Sequence, residues 1–532
     1  MRERYKVSSL FAVFERMNIN MGKNKKKTMD KITGFIKSRQ FGIVLSAIQS
    51  VLTIILLSII LYLNMLPVKF FIPVCFVVLF LCGFAFILAF TKKLKPVGKL
   101  ISLFMVVVSS MGLYYASYLS GTIDNISGAN TNTHEVNVYV MKADKADDIA
   151  DAKDYTFGIM AVLDRDNTDK AIREIESTLG QKIETMEYEG YVQLAQALYD
   201  DDVDAIILNS AYVTNLIEDD EYASFSSLTK VLLKTTHQTQ IDVDTNKDVT
   251  DRVFTMYLSG IDVEGKISTT SRSDVNIIAV VIPKTHQVLL INTPRDYYVP
   301  LSISKGVKDK LTHAGIYGVD VSMDTLGMIY DIDLEYYFRI NFTGFKDMVD
   351  ALGGIRVYVD RSFIAWTNKE QYTKGYMDMN GYMALGFVRE RKAYPDGDNQ
   401  RGRNQMAVIQ QIVDKASSPA ILNDFSGLMD SLEGSFETSL SSSQISSLVR
   451  MQLDEGGSWT ILSYGVTGES ARKPVYSMST EQSVMIPDMD TVEKAKKLMH
   501  MVYDGKILTQ EYIDNLPVGE DDNSDSTLND ED

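Results

Sequence analysis

Eleven Lys and Arg residues fall within positions 1–40, and three uncharged apolar runs follow them: Phe41 to Val68, Phe70 to Phe90 and Leu100 to Ile123. Each run holds the roughly 20 residues a helix needs to cross about 30 Å of hydrocarbon, where only a helix or a closed barrel satisfies its own backbone. The loop after the first run carries one Lys, Lys69, whereas the loop after the second carries Lys92, Lys93, Lys95 and Lys99. The positive-inside rule therefore predicts a basic cytoplasmic tail at 1–40, three transmembrane helices within 41–120, and export of everything that follows. A cleaved signal peptide is not expected, since it has one short apolar core rather than three full-length ones.

The net charge of −17 hides a strong asymmetry: the basic tail and the loop lysines leave residues 100–532 at −30. So acidic a chain does not attract nucleic acid or other polyanions in general, and any phosphate ligand must meet a local cationic pocket. Only Cys75 and Cys82 are present, both in the second apolar run. The exported part is thus expected to fold without disulfides or thiol chemistry, on a core its length can supply.

Residues 121–134 are polar and Gly/Asn/Thr-rich and read as a linker. From 135 to 240, strand-like runs at Val136–Val140, Thr156–Val162 and Val203–Asn209 alternate with helical patterns at Asp169–Leu179 and Tyr191–Tyr199, which predicts a small α/β accessory domain. Asp242 to Asn246 starts like a calcium loop but lacks the required Gly and the terminal Glu, so it reads as an interdomain segment. A second exported domain is expected to follow. The remainder, 508–532, is predicted to be an acidic disordered tail, with seven acidic residues from Gly519 onward.

Chemistry concentrates in the second domain. Strand-like Val253–Ile261 ends at Asp262, Val275–Ile282 begins just after Asp274, and His286–Ile291 ends just before Pro294-Arg295-Asp296. If the strands run up, down and up about a tight turn at Pro283–Thr285, then Asp262, Arg272, Asp274, Arg295 and Asp296 converge on one edge. Aspartates gathered without His or Cys favour a hard cation such as Mg²⁺, with Mn²⁺ as a substitute, completed by water and phosphate. Further on, Arg389 and Arg391 lie two apart, and Arg401 and Gln405 four apart on one helical face. Guanidinium forks match phosphate oxygens, so the set points to a pyrophosphate or phosphodiester.

Taken together, Asp262, Arg272-Ser273-Asp274, Asn292-Thr293-Pro294-Arg295-Asp296, Arg389-Glu390-Arg391 and Arg401 with Gln405 resemble the LytR-CpsA-Psr family of bacterial cell-wall proteins over about 250–507. The three spans and the extra domain are similar to its CpsA branch, associated with capsular polysaccharide loci. Asn292-Thr293 departs from the Ser-Ile of many relatives. The resemblance implies an α/β/α sandwich with a central mixed sheet, a deep apolar channel for a polyprenyl chain, and a charged mouth for its pyrophosphate. It implies Mg²⁺ on Asp262 and Asp274, phosphate binding by Arg272, Arg295, Arg389, Arg391, Arg401 and Gln405, and catalysis drawing on Arg272, Asp274, Arg295, Asp296 and Arg391. The implied reaction moves a phosphosugar-linked glycan from polyprenyl pyrophosphate to a peptidoglycan hydroxyl, with Asp274 or Asp296 as base. Partners would be the lipid-linked glycan, peptidoglycan, membrane lipid and capsule assembly proteins. Runs such as Ile277–Val281 and Phe338–Phe345 read as core or as channel lining. The rival readings are a membrane sensor of lipid-linked glycan and a hydrolase using water as acceptor. The five scattered histidines and the absence of HExxH and GxSxG argue against a metallopeptidase or a serine hydrolase.

Overall fold

The computed structural model describes residues 35, 38–91, 93–217, 219, 221–244, 246–261, 267, 270–418 and 425–518. Most of the expected basic tail, the expected metal ligand Asp262 and the acidic stretch 519–532 lie outside the described residues. The chain divides into two units, residues 1–121 with 449–455, and residues 122–448 with 456–532.

The first unit contains α1 (Arg39–Leu63), α2 (Val68–Phe90) and most of α3 (Lys95–Ile126), all three long and apolar enough to cross a membrane. Asn64 ends α1 in a left-handed conformation, its N–H returning to the Ile60 carbonyl. Ser46, Gln49 and Thr53 share one face of α1. The Ser46 hydroxyl meets that of Ser102 at 3.2 Å, Gln49 Nε2 donates to Cys82 Sγ at 3.1 Å, and Thr53 meets Ser109 at 3.4 Å. Turning these polar groups toward neighbouring helices leaves Ile54, Leu61, Phe76 and Phe104 exposed, the pattern a lipid-facing bundle requires.

The second unit opens on a five-stranded sheet. Its strands β1 (Thr131–Met141), β2 (Thr156–Met160), β3 (Glu184–Tyr188), β4 (Ala205–Asn209) and β5 (Thr229–Gln240) run in the order β3-β2-β4-β1-β5. Parallel pairing of β2 with β3 and β4 is made by the crossover helices α4 (Arg165–Leu179) and α5 (Tyr191–Tyr199). β4 is buried along its whole length, as a covered central strand should be. The expected linker at 121–134 is corrected: α3 continues to Ile126 and β1 begins at Thr131, because β1 pairs with β5 from Thr131↔Gln240 onward and buries Asn132 and His134 while Thr131, Thr133 and Glu135 stay partly exposed.

The larger sheet is built from β6 (Phe254–Ile261), β7 (Ser273–Ile282), β8 (Gln287–Asn292), β9 (Tyr336–Asn341), β14 (Phe436–Thr438) and β15 (Thr460–Gly465), in the order β14-β9-β6-β7-β8-β15. Between β9 and β14 lie β10 (Ile355–Val359), β11 (Phe363–Ile364), β12 (Gln371–Tyr372) and β13 (Gly375–Met379), which form two small ribbons. β6-β7-β8 is an antiparallel meander with Pro283–Thr285 as its tight turn, while β9 joins β6 and β15 joins β8 in parallel, so the sheet is mixed. Side-chain alternation along β7 feeds two cores. Ile278 and Val280 pack with Leu326 and Leu498, from α8 (Val319–Tyr330) and α13 (Met489–Tyr503); Ile277 and Ala279 pack with Met406, from α11 (Gly397–Ala416), and with Leu440. Helices cover both faces, which makes the domain an α/β/α sandwich. Ile277 to Val280 are thereby core residues.

The expected disordered tail also starts too early. Helix α14 (Gln510–Asn515) buries Ile513, and Leu508 joins the same core, with the Leu508 N–H and carbonyl fastened to the Gln287 side chain at 3.0 Å each.

Candidate active site

The mixed topology sends the C-terminal ends of β6, β8, β9 and β15 and the N-terminal end of β7 to one edge of the sheet. Asp274 enters β7 there. Arg295 follows β8 in a turn fixed from several sides: Thr293 N–H donates to the Asn276 carbonyl at 2.9 Å, Thr312 N–H to the Arg295 carbonyl at 2.8 Å, and Met485 N–H to the Asp296 carbonyl at 2.7 Å. The adjacent antiparallel strands β7 and β8 thus place Arg295 Nη1 2.7 Å from Asp274 Oδ1, across 21 residues of sequence. The neighbouring Asp296 sits between Arg295 and Lys310, its oxygens 3.9 and 3.6 Å from them.

Arginines from two helices complete the edge. Helix α10 (Gly381–Arg389) ends on Arg389, whose guanidinium lies 4.2 Å from the Phe342 ring centroid. The last carbonyls of α10 are met by α11, with Asn404 Nδ2 donating to Phe387 O at 3.2 Å and Gln405 Nε2 to Val388 O at 3.4 Å. Gln405, expected as a phosphate ligand, commits one amide N–H to this joint while it lines the site. One face of α11 presents Arg401 and Gln405 as expected from their spacing, and both are buried.

A cavity of about 300 Å³ results, lined by Asp274, Arg295, Arg389, Arg391, Arg401 and Gln405, and also by Val275, Phe342, Trp366, Glu390 and Lys392. Arg272 is buried beside Asp274 and acts on its charge. Burial alone would raise the Asp274 carboxyl, but Arg295, Arg401 and Arg272 together outweigh it and hold Asp274 below the ordinary range, so it is a carboxylate at neutral pH. Asp398 goes the other way: burial raises it, and Arg401, 3.0 Å away, offsets only part of that. Burial lowers Arg401, whereas Asp274 and Asp296 outweigh burial at Arg295 and raise it; both remain cations at any physiological pH. Their Nε atoms are buried with no acceptor among the described residues. A buried donor left without an acceptor costs about 1–3 kcal/mol.

Among the described residues no three His, Cys, Asp or Glu side chains converge as a metal cluster. Of the expected pair, Asp274 alone is described. One ionised carboxylate fits the way Mg²⁺ is commonly held, by one or two carboxylates with phosphate oxygens and water.

Several contributors carried no sequence signal strong enough to single them out. Glu390, between the two arginines, is 1% exposed and accepts the Trp366 N–H at 2.6 Å and the Ala393 N–H at 2.9 Å, fixing the segment that carries Arg389 and Arg391. Two helical glycines permit close approach. A Cβ on Gly315, in α7 (Leu311–Tyr317), would lie 2.4 Å from the Ser271 carbonyl, beside Arg272. A Cβ on Gly402 would lie 2.0 Å from Asn292 Nδ2, so the residue that departs from the usual Ser fills the space this glycine leaves between α11 and β8. A glycine inside a helix costs about 1 kcal/mol relative to Ala, which was the only hint available in sequence.

A family model, described as the LytR_cpsA_psr family, matches residues 222–499. The chain belongs to the LytR-CpsA-Psr family. Among its relatives is the polyisoprenyl-teichoic acid–peptidoglycan teichoic acid transferase TagU of Bacillus mycoides (strain KBAB4), 31% identical over 230 residues that cover 42% of this chain and 74% of TagU. Solved structures that match include TagT bound to LI-WTA, at 28% identity and TM-score 0.39 over 50% of this chain and 94% of that one. B. subtilis TagV matches at 25% identity and TM-score 0.40 over 48% and 98%. A model of a DNA polymerase processivity factor matches residues 92–208, a stretch running from α3 into the first sheet that delimits no domain of this chain.

Proposed function

We propose that this LytR-CpsA-Psr protein is a membrane-anchored phosphotransferase that moves a glycopolymer, of capsular or teichoic-acid type, from polyprenyl pyrophosphate to a peptidoglycan hydroxyl. In this reading the N-terminus is cytoplasmic and both α/β parts stand outside, where no ATP is available and a lipid pyrophosphate supplies the activated donor. The observation that carries it is the cavity in which Arg295, Arg389, Arg391 and Arg401 converge. The transferase activity of the TagU relatives supports the same class.

The acceptor oxygen attacks the sugar-bearing phosphorus, the new P–O bond forms as the bond to the bridging oxygen breaks, and polyprenyl phosphate leaves. Guanidiniums fixed beforehand stabilise the charge that grows on the phosphoryl and bridging oxygens, and they act more strongly in a buried site than in water. Arg295 is oriented by Asp274 and Arg401 by Asp398. Mg²⁺ bound at Asp274, with Asp262 as the second proposed ligand, would add Lewis-acid neutralisation of the pyrophosphate. Because Asp274 is engaged by Arg295 and held below the ordinary range, it suits ligation and orientation better than proton transfer. The acceptor's proton falls to Asp296.

The test is to incubate the full chain in detergent with a radiolabelled lipid-pyrophosphate glycan and peptidoglycan oligomers, with Mg²⁺ or with EDTA. Label joined to peptidoglycan, lost with EDTA and in Arg391→Ala, is the expected result. Free phosphosugar would make the protein a hydrolase, and tight binding without turnover would make it a sensor.

A further inference from the structure

We propose that Trp366 is the platform for the first sugar of the transferred glycan, the ring joined directly to the pyrophosphate; this rests on the donor-binding reading above. Trp366 is one of only two tryptophans in the chain, and it is held 58% exposed. A single exposed aromatic needs no explanation by itself, but this one is built in place. It sits in the hairpin joining β11 to β12. That turn is closed by Ala365 N–H to the Glu370 carbonyl at 2.9 Å and by Lys369 N–H to the Ala365 carbonyl at 3.0 Å, with Lys369 left-handed at φ 60°. Phe363 and Tyr372 stack beneath it at 4.8 Å, Asn368 Nδ2 donates to the Tyr372 hydroxyl at 2.9 Å, and the Tyr382 hydroxyl donates to the Asn368 carbonyl at 3.2 Å. Glu390 then ties the Trp366 backbone to the segment bearing Arg389 and Arg391.

Trp366 lines the same cavity as the phosphate-facing arginines, but where Arg401 is buried Trp366 is open. A ligand whose phosphates reach the buried guanidiniums can lay its sugar ester against the exposed ring, which lines the same cavity. The C–H bonds on a pyranose face carry partial positive charge and are drawn to the negative face of the indole. The ring already attracts cations, for the ammoniums of Lys369 and Lys392 each lie 3.9 Å from its centroid. Exposed cation–π contacts are worth only about 0.5–1 kcal/mol, so a sugar can displace a lysine, which is then free to turn to the anionic ester.

A Trp459→Phe background leaves Trp366 as the only tryptophan. Trp459 packs on His286 at the far turn of the β7-β8 hairpin, ring centroids 5.0 Å apart. In the full chain in detergent, a polyprenyl pyrophosphate bearing one N-acetylhexosamine is expected to shift Trp366 emission to the blue and to bind more tightly than the bare polyprenyl pyrophosphate. Trp366→Ala is expected to cut that preference about tenfold or more, as truncation of a central aromatic anchor does, and Trp366→Phe to keep most of it; radiolabelled lipid reads binding where no tryptophan remains. Equal binding of the two lipids by the parent, or equal loss of both in Trp366→Ala, overturns the platform. A Trp366 response to peptidoglycan oligomers alone would give the ring to the acceptor and overturn it too. If the parent binds neither lipid, the donor-binding reading itself fails and takes the platform with it.

Discussion

At the scale of single residues, the second unit holds two titratable groups that oppose one another, Asp164 half-buried and His134 buried. Asp164 takes a left-handed conformation at the head of α4. Burial raises its carboxyl to about 6, although Asn167 and Asn209 donate to it at 2.7 and 2.8 Å. A folded-state value above the unfolded one means that stability from this group is complete below about 4 and is lost as pH rises through about 6, on the order of 2–3 kcal/mol in all. His134 on β1 is lowered to about 4, mainly by burial and then by Lys170, so its contribution rises with pH from about 4 to its unfolded value near 6.5. Asp164→Asn keeps the residue type that tolerates a left-handed backbone and removes only the first slope. Hydrogen exchange of β2 and β4 amides is expected to show the variant gaining on the parent as pH rises from 4 to 6; a constant difference would refute the assignment. None of this was legible in sequence, because Asp164 is one acid among seventy Asp and Glu residues and only the fold buries it.

At the scale of elements, the site depends on how closely helices seat against the sheet. Gly315→Ala drives a Cβ into the backbone of the segment carrying Arg272, where no flexible side chain can yield. Overpacking of this kind costs about 1–3 kcal/mol, and donor affinity is expected to fall together with stability. Gly402→Ala meets the Asn292 side chain instead. The double change Gly402→Ala with Asn292→Ser is expected to recover activity that the single change loses, measured as label transferred to peptidoglycan. The three-strand meander was readable because its apolar runs are broken by Pro283 and Pro294 and bounded by charged residues. Strand β3 was not, since Glu184–Tyr188 is exposed nearly throughout and gains its strand state only by pairing with β2. Asp274, Arg295, Arg389 and Arg401 could be found because strand ends and helical spacing bring them together. Trp366, Glu390 and the two glycines reach the site through contacts that no local pattern encodes.

At the scale of the second unit, the expected accessory domain is continuous with the sandwich. Tyr191, Leu194, Tyr212 and Leu216 from the first sheet's helices share one core with Ile316, Val475, Met478 and Val484 of the larger domain. Asn132 on β1 donates to Asp320 Oδ1 at 2.6 Å and accepts the Val319 N–H at 3.1 Å, so a strand of one sheet caps α8 of the other. Thr270 N–H donates to the Thr133 carbonyl at 3.0 Å, so β1 also holds the chain close to Arg272. Burial this extensive favours one cooperative transition over two. Tyr212 is fully buried, with its ring 5.2 Å from Tyr191 and 6.2 Å from Tyr317 across the joint. Tyr212→Ala should cost about 3–5 kcal/mol, as for other large aromatic truncations. In hydrogen exchange, that loss is expected to appear equally in amides of β2 and β4 and in those of β6 to β8. Loss of protection confined to the first sheet would show that the two parts unfold independently. Equal loss would mean that a change anywhere in the first sheet's core reaches Arg272 and the cavity beside it.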